Sequence, residues 1–215
     1  MRSWTSLSLT QDHALLAQGG AAAREVLCEW SAAPSLLGLE THQWVDTLRD
    51  DRSVLRSAKP THVSTSAVVF CRDLLEPRAP LLALLLWHLK AQEWVYPGGH
   101  ADGDWNLLRS AVREVAEETG LTGRMTLHHD EGVPAAVPAL VQRIDVGGHA
   151  HYDAVFFLEY PWECRMGATF DATESADLRW WPVSEGVEHE QEIPAITRAA
   201  LTQLWHSCGG AHVAS

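Results

Sequence analysis

The sequence predicts an α/β or α+β sandwich, in which a set of strands surrounds one strongly charged helix and a second helix lies near the end, with a helical extension over residues 1–60 in front. Three observations carry this. Between Asn106 and Thr119 nothing breaks a helix, and Gly120 is a natural stop. From Thr61 onward, runs rich in Val, Thr, Ser and Leu recur between turn-forming segments, the texture of strands. Before Thr61 the apolar residues fall at helical spacing.

Taken in order, the extension opens with a helix capped by Thr10 or Asp12 and carrying Leu15, Leu16, Ala22, Val26, Leu27 and Trp30. Gly19 and Gly20 weaken its middle and favour two shorter pieces. Pro34 and Gly38 mark a break. A second helix over Thr41–Ser57 places Trp44, Val45, Leu48 and Leu55 on one side, and Lys59-Pro60 ends the segment. Its apolar residues need a surface to cover, either the core of the following domain (61–215) or a second subunit in a homodimer. Expected strands are His62–Cys71, Leu81–Leu89, Glu93–Tyr96, Met125–His129, Ala139–Ile144, Ala150–Tyr160 and Asp177–Val183, with a closing helix over Ile193–Cys208.

Composition narrows the function. Hydrophobic residues make up 46% of the 215, enough for a packed core. The net charge of -12 argues against duplex DNA or RNA as partner, because such a surface needs a Lys/Arg stripe. An anionic ligand would then need a metal bridge or a local basic patch. Four scattered cysteines, Cys28, Cys71, Cys164 and Cys208, fit neither a zinc motif nor a dense disulfide framework, and read as free thiols of a reducing cytoplasm. No signal peptide is apparent, and the most apolar run, Leu81–Leu89, is too short to span a bilayer, so no membrane association is expected.

The chemistry concentrates between Tyr96 and Leu121. Glu114, Glu117 and Glu118 sit at i, i+3 and i+4, which puts three carboxylates on one helix face, while Leu108, Val112 and Val115 bury another. Arg113 can pair with only some of these acids. Such crowding suits a hard divalent cation, since Mg²⁺ takes carboxylate oxygens, waters and substrate phosphates. On charge alone a solvated acidic face would be the better reading. The turn Pro97-Gly98-Gly99 upstream reverses that preference.

The stretch resembles the Nudix box, which runs Gly, five residues, Glu, seven residues, then Arg-Glu-aliphatic-x-Glu-Glu-x-Gly-aliphatic. Gly99, Arg113, Glu114, Val115, Glu117, Glu118, Gly120 and Leu121 match in register; the first Glu of the pattern is replaced by Trp105. The resemblance spans about Thr61–His206 and implies an α/β/α sandwich with a mixed sheet. The segment from Arg56 to Phe70 is similar to the entry of the first strand in bacterial Nudix proteins that carry a helical N-terminal extension.

The resemblance further implies a metal-dependent hydrolase that cleaves a diphosphate linkage in a small molecule, a nucleoside diphosphate joined to another moiety. In that assignment Glu114, Glu117 and Glu118 hold Mg²⁺ or Mn²⁺, Arg113 orients the carboxylates, and one of the three glutamates, or Glu174, takes a proton from water. Glu174 stands in the loop before a late strand, where many members carry such an acid, with Asp171 as its fallback. Gly98 and Gly99 let the backbone approach closely. His100 follows the turn, and His149, His151, Asp153 and Glu159 share one strand face; His100, His151 and Asp153 are candidates for contacting substrate, set against the plainer reading of a wet strand face. The spacing of these histidines matches no usual zinc pattern. With Trp105 unable to accept a hydrogen bond from Arg113, Asp104 is expected to take over that pairing. Two alternatives stay open: an isoprenoid-diphosphate isomerase, for which Cys71 lacks a local match, and a degenerate ligand-binding module, favoured only by Trp105.

Overall fold

The computed structural model describes residues 4–76 and 78–208. In chain order the elements are β1 (Trp4–Leu9), α1 (Ala14–Ala17), α2 (Gly20–Glu29), β2 (Ser35–Leu37), α3 (Thr41–Arg49), β3 (Thr61–Cys71), β4 (Leu82–His88), β5 (Glu93–Val95), β6 (Gly98–His100), α4 (Leu107–Thr119), β7 (Met125–Asp130), β8 (Leu140–Val146), β9 (His149–Glu159), a short 3-10 turn at Trp162–Met166, β10 (Ser175–Pro182), α5 (Val183–Glu188) and α6 (Ala195–Ser207).

The described strands form one mixed sheet whose central path is β1-β7-β9-β3-β4-β10. Its axis is the parallel pair β3 and β9, in register from Thr61 opposite Ala150 to Phe70 opposite Glu159. Both strands are buried on both faces, so they read as continuous apolar and small-polar runs. Alternate residues feed two cores. One side packs Ala67, Val69, Ala154, Phe156 and Leu158 against Leu108, Ala111 and Val115 of α4. The other packs Val68, Phe70, Val155 and Phe157 against Val183, Ala200, Leu201 and Leu204 of α5 and α6. Helices thus cover both faces, and the fold is an α/β/α sandwich.

Residues 1–60 depart from an all-helical extension. The long first helix is broken at Gln18-Gly19 into α1 and α2, and α3 stops at Arg49 in place of Ser57. The segment also contributes two strands to the sheet. β1 lies antiparallel to β7, Trp4 opposite Asp130, and β2 lies parallel to β8, Ser35 opposite Leu140. Trp44 and Leu48 are buried in the same core as α4, together with Leu9, Leu16 and Leu27, so this chain's own core covers these residues, while Leu55 stays exposed. Trp44→Ala is therefore expected to cost about 3–5 kcal/mol of stability, read as a lower urea midpoint. A loss under about 1 kcal/mol would mean that α3 is only loosely attached.

Candidate active site

Helix α4 is set at both ends by local chemistry. The Asn106 side chain accepts from the Arg109 N–H at 3.0 Å, an N-cap, and Gly120 closes the helix in the left-handed region at φ +68°. Leu108, Ala111 and Val115 bury one face. Glu114 and Glu118 lie against the turn at Gly98–Gly99, while Glu117 stands exposed beside Arg113. The Gly98 N–H donates to Glu118 Oε2 at 3.2 Å. A Cβ at Gly99 would lie 2.5 Å from the Glu114 carboxyl carbon, and one at Gly98 would collide with the Ser66 side chain. Both glycines are therefore required by close approach, one to the carboxylate and one to the strand beneath.

Arg113 is the cation of the cluster. It donates to Glu114 Oε1 at 2.8 Å, to Glu117 Oε2 at 2.8 Å and to the His100 carbonyl at 2.9 Å, with Asp102 at 3.9 Å. Glu114 is 8% exposed, whereas the Glu117 side chain is 57% exposed. Glu118 does not pair with Arg113. Burial pushes its carboxyl up to about 8, and Glu114, Glu174 and Asp171 add to the effect while the Gly98 N–H opposes it. Burial also raises Glu114, against the pull of Arg113. A buried carboxyl among four other acids, with one guanidinium present, is a donor set that fits a divalent cation.

Glu174 is near enough for its charge to act on Glu118. The loop before β10 is tied to the end of α4: Thr169 N–H donates to the Thr119 carbonyl at 2.9 Å and Asp171 N–H to the Glu118 carbonyl at 3.1 Å. These backbone ties carry no residue-type signature, so the sequence alone does not reveal them.

Over residues 60–201 the sequence matches the family model described as the NUDIX domain. The chain belongs to the Nudix family. It is a Nudix-type pyrophosphohydrolase, and the Nudix box is the turn, helix and loop just described. No curated protein matches it. Among solved structures, an Ap4A hydrolase from C. elegans aligns with a TM-score of 0.54 at 15% identity, over 69% of this chain and 98% of that one. A NUDIX family hydrolase from Clostridium perfringens aligns at 0.51 and 22%, over 66% and 94%. A MutT protein from Methanosarcina mazei Go1 aligns at 0.50 and 21%, over 70% and 97%. At these identities the likeness is one of fold.

Where the Nudix pattern is broken, the pairing differs from expectation. Asp104 does not reach Arg113. Both its oxygens accept from Arg109, at 2.7 and 2.8 Å, and Arg113 is left to Glu114 and Glu117. Trp105 is buried at 8% exposure, with the Arg24 guanidinium 4.7 Å from its ring, so it docks α2 onto the Nudix loop.

The substrate candidates on β6 and β9 separate into two groups. Asp153 is 1% exposed and does not face a cleft. It accepts from Ser64 and Ser66, both at 2.9 Å, and from Gln142 at 3.2 Å, and Gln142 also donates to the Tyr96 hydroxyl. This buried network braces β3 under Gly98, which makes Asp153 a positioning residue. His100 and His151 instead meet His62 and His149, a cluster in which burial lowers His62 and His100 and holds His151 down at about 4. His62, in register with His151 across β3 and β9, escapes a reading of the sequence because parallel register is not encoded locally.

Proposed function

We propose that this Nudix enzyme hydrolyses the diphosphate linkage of a small molecule in which a nucleoside diphosphate is joined to another moiety, with Glu114, Glu117 and Glu118 holding Mg²⁺ or Mn²⁺. The observation that carries the reading is the convergence of two α4 carboxylates, Glu114 and Glu118, on a Gly98–Gly99 turn that leaves no room for side chains, with Glu117 joined to Glu114 through Arg113. A divalent ion held there would supply charge neutralisation for the phosphate oxygens and a more acidic water. The residues of the chain do the rest. Arg113 orients Glu114 and Glu117. Glu118, or Glu174, accepts the proton of the attacking water. Gly98 and Gly99 bring the turn against Glu118 and Glu114 and so hold these carboxylates in place.

Two features weigh against the alternatives. Cys71, the cysteine an isoprenoid-diphosphate isomerase would use, is fully buried, and burial pushes its thiol up to about 12. All three glutamates of the box are kept, which a ligand-binding module has no need to do. The four cysteines are free, in keeping with a cytoplasmic setting, and no helix among the described residues is long and apolar enough to cross a membrane.

The test is a screen of nucleoside triphosphates, nucleotide sugars, dinucleoside polyphosphates and coenzyme A derivatives with Mg²⁺ and Mn²⁺, following release of nucleoside monophosphate or phosphate. The expected result is turnover of at least one class with cleavage inside the diphosphate. Stoichiometric binding of such compounds without cleavage under either ion would overturn the hydrolase reading.

A further inference from the structure

Away from the carboxylates, the N-terminal half of β3 and the start of β9 bring histidines together. His62, His149 and His151 each offer a ring nitrogen within 4.8 Å of the other two. The His149 and His151 Nε2 atoms are 3.0 Å apart. His62 is 1% exposed; its Nδ1 lies 3.3 Å from the Ala58 carbonyl, and its buried Nε2 has no hydrogen-bond partner. A buried ring nitrogen without a partner costs free energy comparable to a lost hydrogen bond. A ring N–H given to a backbone carbonyl, with the other nitrogen turned to the ligands of two neighbouring imidazoles, is how metal-binding histidines are commonly oriented.

We propose that His62, His149 and His151 form a second metal site, for a borderline divalent transition ion of the Zn²⁺ class, separate from the carboxylate site of the Nudix box. The donor chemistry makes the distinction. Imidazoles suit Zn²⁺, Co²⁺, Ni²⁺ and Cu²⁺, and are poor ligands for Mg²⁺ and Ca²⁺, which take oxygen. The geometry is within reach: an ion about 2.0–2.1 Å from each nitrogen in tetrahedral coordination sets the nitrogens roughly 3.3–3.4 Å apart, close to the 3.0 Å between His149 and His151 and inside the 4.8 Å that bounds the three. Three imidazoles leave a fourth coordination position to another ligand. His100 stacks on His62 at 5.1 Å between ring centroids and closes one side. Arg56 and Lys59 are exposed on the chain leading into β3 and exert their charge on the cluster, which favours an anionic fourth ligand such as hydroxide or a carboxylate. The site ties the first residues of β3 to the start of β9. It also abuts the Nudix turn, because the carbonyl of His100 is the one that Arg113 binds.

The test uses tag-free, chelator-stripped full-length protein in excess Mg²⁺, which fills oxygen sites, titrated with Zn²⁺ by calorimetry and with Co²⁺ by visible absorption. The expected result is one equivalent of Zn²⁺ bound, intense Co²⁺ ligand-field bands of tetrahedral type, and a raised thermal midpoint. His149→Gln and His151→Gln each weaken Zn²⁺ binding by about a hundredfold or more, whereas Glu118→Gln retains it. Because either His variant alters a packed cluster, His149→Cys is the control: it keeps binding and adds a thiolate-to-cobalt charge-transfer band. Absence of tight Zn²⁺ binding by the native protein would overturn the site. So would binding that survives His149→Gln and His151→Gln but is lost in Glu118→Gln.

Discussion

Glu118→Gln lowers kcat by about a hundredfold or more, the scale of losing a group that acts on the transition state, with Glu117→Gln of the same order. Glu118 is the carboxyl at the centre of the acidic group, bound by the Gly98 N–H and free of Arg113. The amide keeps the shape but accepts no proton and is a weaker metal ligand. A variant with near-normal kcat would reduce the face to solvated surface. The metal-free protein supplies an independent readout. The Glu118 carboxyl is raised from 4.5 to about 8 in the folded state. It therefore binds its proton more tightly folded than unfolded. Its stabilising contribution is fully present below pH 4.5 and is lost as pH rises through 8. Native metal-free protein accordingly loses thermal stability between about pH 5 and 8, and Glu118→Gln is flatter across that window and at least as stable at pH 8. Equal slopes for the two proteins would show that Glu118 titrates normally.

Exhaustive EDTA treatment abolishes turnover, and Mg²⁺ or Mn²⁺ alone restores it. Glu114, Glu117 and Glu118 share one face with a single guanidinium, and Asp171 and Glu174 add charge nearby. Without a cation the site repels an anionic diphosphate as well as itself. Full turnover in EDTA would remove the metal from the mechanism. Restoration by Zn²⁺ but not by Mg²⁺ would move the catalytic metal from the carboxylates to the imidazoles.

The active-site helix was legible because its information is local. The carboxylate spacing, the N-cap residue and the glycine stop of α4 all lie within about twenty residues, and the box pattern fixes their register to the turn. The extension was legible only in part. Trp44, Leu48, Leu16 and Leu27 show a helical period, but β2 is three residues long, too short for any period to register. In β1 only Leu9 is fully buried, so the edge strand alternates weakly. The partner of Asp104 differs from the sequence expectation for a geometric reason. Arg109 stands in the first turn of α4, beside the cap, whereas Arg113 is four residues further, about 6 Å along the axis. Nearness in the pattern favoured Arg113; nearness in space favours Arg109. The histidine cluster was visible as His149 and His151 alone, because the third member comes from β3 through parallel pairing.

The junction of α1 with α4 has a consequence for how this enzyme can be divided. A helix as short as Ala14–Ala17 leaves carbonyls at its end with no intrahelical donor. Here the donors come from the far side of the sequence: Asn106 Nδ2 reaches the carbonyls of Leu15 and Gln18 at 2.7 and 3.1 Å, and Arg109 reaches those of Leu16 and Gln18 at 2.9 and 3.1 Å. The same two side chains hold the cap and first turn of the helix that bears the glutamates. Cutting at residue 60 would strip Asn106 and Arg109 of three carbonyl acceptors and four hydrogen bonds at once and uncover Trp105. A transplanted Nudix domain taken from this chain must bring its first sixty residues along, or be given new acceptors in their place.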